Sequence, residues 1–263
     1  MVLNMIDMIK AEIKRLYKSK GFYIATLIFV IAVLAFMQLS YQSERTVQSM
    51  SETGIQLSIT AVPKTLNSYV ASFGISFGVL VMGIYLSCFV CQEYSTNFIK
   101  NTVTQKNGRV SVVLSKTVIA LLFSITMIVL SYIVSWLYGS LLLDNFMIES
   151  ITEIIKTIVL LFFINMAIFS LVIFIATLSK NQAIGIIILF LVASGMLLPV
   201  LQNICQAVNM AGLATYTLSY FFDTLLLNME DMYLKIILMC TFYIFVYNTC
   251  LLYTSHQLES IKL

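Results

Sequence analysis

The chain has 263 residues, 60% of them hydrophobic and only 10% charged, with a net charge of +3 and a mean hydropathy of +0.97. A soluble domain carries roughly 25% charged residues, so the composition excludes an ordinary globular enzyme and points to an integral membrane protein. The apolar runs are continuous rather than alternating, which argues against a β-barrel and for a bundle of helices, whose backbone groups need no water.

In chain order, residues 4–20 come first. Ile6, Ile9, Ile13 and Leu16 recur at helical spacing, and Asp7, Lys10, Lys14 and Lys18 line another face. The pattern predicts a basic amphipathic helix lying in the membrane interface. Six apolar runs follow, at about 22–40, 69–91, 117–143, 157–179, 183–201 and 233–254, each near the ~20 residues that cross a bilayer. Only Lys235 places a charge inside one, a turn from its end, where it can snorkel. The charged start is long for a leader and no small-x-small cleavage site follows it, so the first run is read as a retained span. Residues 41–68 are expected to form an external loop. Gly74 and Gly78 form a G-x-x-x-G in the second run, a pattern that suits close helix packing within the bundle or against a second copy. Only Ser179–Gln182 joins the fourth and fifth runs, so a tight turn is expected. After Pro199, residues 202–232 stay moderately apolar without length for two crossings and are read as short external re-entrant helices. No repeat or low-complexity segment divides the chain, which reads as one membrane domain, 1–263.

Lys and Arg concentrate on the side expected to be cytoplasmic. With the N-terminus inside, that side holds eleven cations against four carboxylates, and the outside holds four against eight. The modest net charge therefore hides a strong asymmetry, and both termini are expected in the cytoplasm. Five cysteines lie mostly in or beside apolar runs, and only Cys205 falls outside them on the external side, so no external disulfide within the chain is expected. Cys88 and Cys91 share a helix face and suit packing better than redox or metal chemistry.

The absences are informative. His256 is the only histidine and lies past the last run, so a histidine metal site or a catalytic triad within the bundle has no material. No paired Asp residues lie within the spans, and no metal-binding set is expected. Deep polar residues are neutral, notably Gln38, Asn165 and Asn248, and suit interhelical hydrogen bonds. No G-x-x-x-x-G-K-[ST] loop occurs, so the chain itself is expected to bind no cofactor. Any ATP and Mg would belong to another subunit. Nucleic acid is not an expected partner.

One segment remains, CQEYSTNFIKNTVTQKNGRVSVVLSK at 91–116, basic and pinned between two apolar runs. Glu93 and Tyr94, then Phe98, Lys100, Val103, Gly108-Arg109 and Ser115-Lys116, resemble the E-[YR]-x-x-G-T-x-K pattern of the ABC-2 permeases, the membrane subunits of type-2 ABC exporters. Asn97 stands where that family commonly has Gly, and Phe98 where it has Thr. The opening AEIKRLYKSKGFYI at 11–24, the turn SKNQAIGI at 179–186 and the stretch from Pro199 to Leu227 are also similar to the family, so the resemblance runs the length of the chain. It implies that residues 92–116 form a cytoplasmic coupling segment resting on a separate ABC ATP-binding subunit through Glu93, Tyr94, Asn97, Phe98, Lys100, Val103 and Arg109. Glu93, Asn97 and Lys100 fall at i, i+4 and i+7, on one helix face.

The expected fold is all-α and integral to the membrane: six transmembrane helices, an N-terminal interfacial helix, and external re-entrant helices between helices 5 and 6. The expected function is that of a permease subunit of an ATP-driven exporter in a bacterial cell membrane, paired with a second permease as homodimer or with a similar paralogue, in contact with membrane lipid. An amphipathic or antimicrobial peptide, in export or immunity, is the expected cargo. The competing readings are a non-transport scaffold or sensor and an ATP-independent carrier or channel.

Overall fold

The computed structural model describes residues 5–52, 65–95, 108–143, 146–207, 211–218, 220–221 and 233–260; side chains at 5, 43–52, 73–76, 95, 109, 211, 213 and 254–260 are not among those described. Its helices are α1 (Met5–Lys18), α2 (Lys20–Glu52), α3 (Leu66–Tyr69), α4 (Ser76–Ser95), α5 (Gly108–Leu142), α6 (Ile151–Ser179), α7 (Gln182–Ala193), α8 (Leu197–Ala207) and α9 (Tyr233–Ser260). A π-helical stretch, Val70–Ile75, joins α3 to α4, and a 3-10 turn spans Ala211–Tyr216. Among the described residues the only strand-like pairing is the isolated bridge between Thr65 and Met147.

Among the described residues five helices are long and apolar enough to cross a membrane, and six if the bent pair α7–α8 counts as one span. The chain is therefore an all-α multi-pass membrane protein. Most spans outrun their apolar cores. Helix α2 continues to Glu52, through part of the stretch expected as loop, and α5 begins at Gly108 rather than near 117. Hydropathy marks only the part of a helix that crosses hydrocarbon. A polar flank stays helical as long as nothing breaks it, and α5, with 35 residues, reaches ~50 Å against a core of ~30 Å.

The fifth run departs most from expectation. Helix α7 has 12 residues, about 18 Å and too short to cross, and α8 turns away from it by 76°. The break comes at Ser194–Met196, ahead of Pro199, and Gly195 takes a left-handed φ of 70° that suits a residue without Cβ. None of the residues of α8 is buried.

Helix α6 is the hub. It packs on α4, α5, α7 and α9, and 61% of its apolar window is buried, against 28% for α2 and 17% for α9. An aromatic column runs through the bundle from α4 to α6: Tyr85 and Phe123 sit 5.7 Å apart, and Phe123 and Phe169 6.3 Å apart, with Phe22 of α2 edge-on to Phe123 at 5.7 Å. Gly78 is buried where an added Cβ would meet the Met127 side chain at 2.9 Å, so α4 and α5 approach closely there. Gly74 lies in the π-helical stretch, outside the described side chains.

Of the deep polar residues, Gln38 accepts from Tyr138 across α2 and α5, and Asn248 accepts from Thr117 at 2.7 Å across α9 and α5. Asn165, fully buried on α6, has no hydrogen-bond partner for either amide atom among the described residues. At the end where α2 finishes and α6 begins, the Glu149 carboxylate accepts from the Asn67 backbone N–H at 3.1 and 3.2 Å, and Tyr132 donates to Asn67 Oδ1 at 2.8 Å. This acidic end is thus pinned to α3 and α5. The opposite, basic end collects α1, the end of α4, the start of α5 and the α6–α7 turn.

Candidate functional site: a buried charge quartet at the basic end

Helix α1 does not bury the stripe its aliphatic residues suggest. Met8, Glu12 and Leu16, at i, i+4 and i+8, are buried against the bundle, whereas Ile6 is 60% exposed. A carboxylate therefore sits at the centre of the packed face, and it needs partners, because an unpaired buried charge is prohibitive.

The partners converge from three helices. Lys116 of α5 donates to Glu12 Oε1 at 3.3 Å and also to Glu93 Oε1 of α4. Arg15, one turn after Glu12, places Nη1 2.7 Å from Glu93 Oε1 and 3.7 Å from Glu12 Oε2. Glu12, Glu93 and Lys116 side chains are at most 5% exposed, and Arg15 is 33% exposed. Two cations and two carboxylates leave the group neutral. Phe89, one turn before Glu93, lines one side: the Arg15 guanidinium lies over its ring at 3.9 Å, Lys116 is 5.6 Å from it, and Arg15 Nη2 donates to the Phe89 carbonyl at 2.8 Å. A stacked, forked guanidinium makes these contacts as a lysine would not.

Burial pushes the Glu12 carboxyl above its ordinary pKa; Lys116 pulls it back, Glu93 adds to the rise and Arg15 opposes it. Loss of hydration, helped by the neighbouring Glu93 carboxylate, outweighs the attraction of the two cations and sets the direction.

Of the sequence-expected coupling residues, Glu93 stands in the quartet. Tyr94 is its half-buried neighbour. Asn97, Phe98, Lys100 and Val103 lie outside the described residues, and Arg109 is placed only by its backbone in α5. Sequence reading missed Glu12, Arg15, Phe89 and Lys116 as a unit. A signal existed: Glu93 is the only acid among residues 91–116, and Glu12-x-x-Arg15 puts a carboxylate and a cation on one helical face.

The chemistry available is mechanical rather than catalytic. Glu93 lies two residues from the end of α4 and Lys116 in the third turn of α5, so the quartet ties α1 to both helices that flank residues 96–107. Among the described residues no group of His, Cys, Asp and Glu is arranged to hold a metal ion.

The fold and the charged site that joins its helix ends define a multi-pass helical membrane protein. A family model described as ABC-2 family transporter protein matches residues 8–196, from α1 through the break before α8. The chain belongs to that family, whose members are membrane subunits of transporters, not themselves catalytic, and membership implies association with an ABC ATP-binding subunit. No curated protein matches the chain.

Proposed function

We propose that this protein is the permease subunit of an ATP-driven exporter, lodged in a cell membrane with its basic end and both termini in the cytoplasm. It works beside a second permease, the same chain or a similar one. Residues 92–116 rest on the ATP-binding subunit through Tyr94, Asn97, Phe98, Lys100, Val103 and Arg109, while Glu93, buried in the quartet, anchors the base of that segment from within. The observation that carries this reading is the quartet, because both helices entering and leaving the 96–107 segment are bonded to α1 through buried charges. A push on that segment then moves three helices together. The asymmetry of Lys and Arg supports the orientation. ATP and Mg act on the partner subunit. The cargo is an amphipathic peptide: an uncharged, aromatic-rich interior costs such a molecule little on leaving the bilayer.

Co-expression with the ATP-binding subunit tests the assignment. The pair is expected to co-purify and to lose association when Phe98→Ala and Lys100→Glu are combined. Undiminished binding and ATP turnover in that double variant would sink the coupling assignment. Peptide uptake into inverted vesicles that persists without ATP would favour a carrier instead.

A further inference from the structure

Beside the quartet, between the α1–α2 corner, the basic end of α4 and the α6–α7 turn, opens a cleft of about 830 Å³, within the size range of sites that take small ligands. Its chemistry is one-sided. Lys180, Asn181 and Gln182 of the turn, Gln92 of α4 and Ser19 before α2 line it, and among the described residues no carboxylate does. Tyr85 donates to Ser19 at 2.8 Å and closes the inner wall. Phe89, which carries Arg15 on its ring, separates the cleft from the quartet.

Three features indicate what fits. Lys180 is exposed and makes no ion pair among the described residues. It also holds a left-handed φ of 52°, where Gly or Asn is the strain-free choice and a lysine costs roughly 1 kcal/mol. All three walls are span ends, which places the mouth at the level of lipid headgroups. From Gln92 to Tyr85 the cleft follows α4 inward for about 10 Å, and its inner part carries Phe89, Cys88 and Cys91, apolar enough for the start of an acyl chain.

We propose that the cleft binds a phosphate ester, as the headgroup of an anionic phospholipid presents it, with Lys180 and the Asn181 amide on the phosphate. The proposal rests on the membrane placement of the basic end and not on the exporter assignment. Bound lipid would sit against Phe89 and so beside the charges that hold α1.

The full-length protein in phosphatidylcholine nanodiscs, with and without phosphatidylglycerol, tests this through Cys88, a half-exposed thiol in the lining. Labelling by a water-soluble maleimide, read by peptide mass spectrometry, is expected to slow when phosphatidylglycerol is present, while half-exposed Cys205 and Cys250 serve as references. Lys180→Asn, which keeps the backbone conformation, should weaken the protection about fivefold, the effect of one surface cation on an anionic lipid. Lys180→Arg should retain it. Glycerol phosphate or inorganic phosphate added to phosphatidylcholine discs separates the sources: protection by the soluble probe assigns a free phosphate ester, and protection by lipid alone assigns the headgroup. Labelling indifferent to every phosphate, or protection unchanged in Lys180→Asn, overturns the site. Loss of the ATP-binding subunit from Lys180→Asn with lipid protection intact would overturn it too, as it makes the cleft a protein contact. Co-purification measured on the same samples keeps a failure of the exporter reading apart from a failure of this one.

Discussion

Lys116 sits between two carboxylates, and its removal leaves both buried with one guanidinium to share. Lys116→Met is expected to cost about 3–5 kcal/mol, the usual penalty for breaking a buried ion pair from one side. Adding Glu12→Gln should recover part of that loss, and a double-mutant cycle by thermal unfolding in detergent measures the coupling. Simple additivity would mean the two do not interact. Glu12 also gives the quartet a pH dependence. Its folded carboxyl keeps a proton to higher pH than the unfolded chain does, so the folded state binds more protons just above the ordinary carboxylate range. The stability it contributes is present at low pH and is lost as pH rises through the raised pKa; Glu12→Gln should flatten that slope above the ordinary carboxylate range, read as melting temperature against pH. Asn165 behaves oppositely to the quartet, since neither amide atom finds a partner among the described residues. Asn165→Leu, close in volume, is expected to stabilise the bundle by about 1–2 kcal/mol, and a lower melting temperature would show that the amide has a partner after all.

Among the elements, the α7–α8 corner is the most testable. Gly195 holds φ 70°, so Gly195→Ala should destabilise by roughly 1 kcal/mol, whereas Ser194→Ala beside it should be nearly neutral; both are read by thermal shift. The corner also shows where the sequence was legible and where it was not. Five spans were readable because crossing hydrocarbon demands an unbroken apolar run. The bend was not, because Ser194-Gly195-Met196 scarcely lowers the hydropathy of 183–201, and the eye goes to Pro199, which sits harmlessly in the first turn of α8. The amphipathic character of α1 was legible, but its facing was not. Apolar spacing nominates Ile6, Ile9, Ile13 and Leu16, while the bundle selects Met8, Glu12 and Leu16. Glu93 was found from its motif, yet its partners lie 23 to 81 residues away in sequence, and no local period records contacts that a tertiary arrangement creates.

At the scale of the whole molecule, the second span is clamped at both ends: Asn67 by Glu149 and Tyr132 at the acidic end, Glu93 by Arg15 and Lys116 at the basic end. Twenty-six residues separate the two clamps. In an unbroken α-helix that interval is about 7.2 turns, which would swing Glu93 some 80° away from the direction of Asn67. The π-helical stretch Val70–Ile75 takes up one residue in its wider turn, and the interval becomes about 6.9 turns. Both clamps then point toward α5, which supplies Tyr132 to one and Lys116 to the other. The stretch acts as a phase corrector for a rod keyed at two ends. Deleting one residue within it should remove the correction along with the extra residue, and keep the fold in register. Deleting Val81 in α4 instead should rotate Glu93 by ~100° and lower the melting temperature as far as Lys116→Met does. Equal tolerance of the two deletions would mean that the angular keying of this span does not matter.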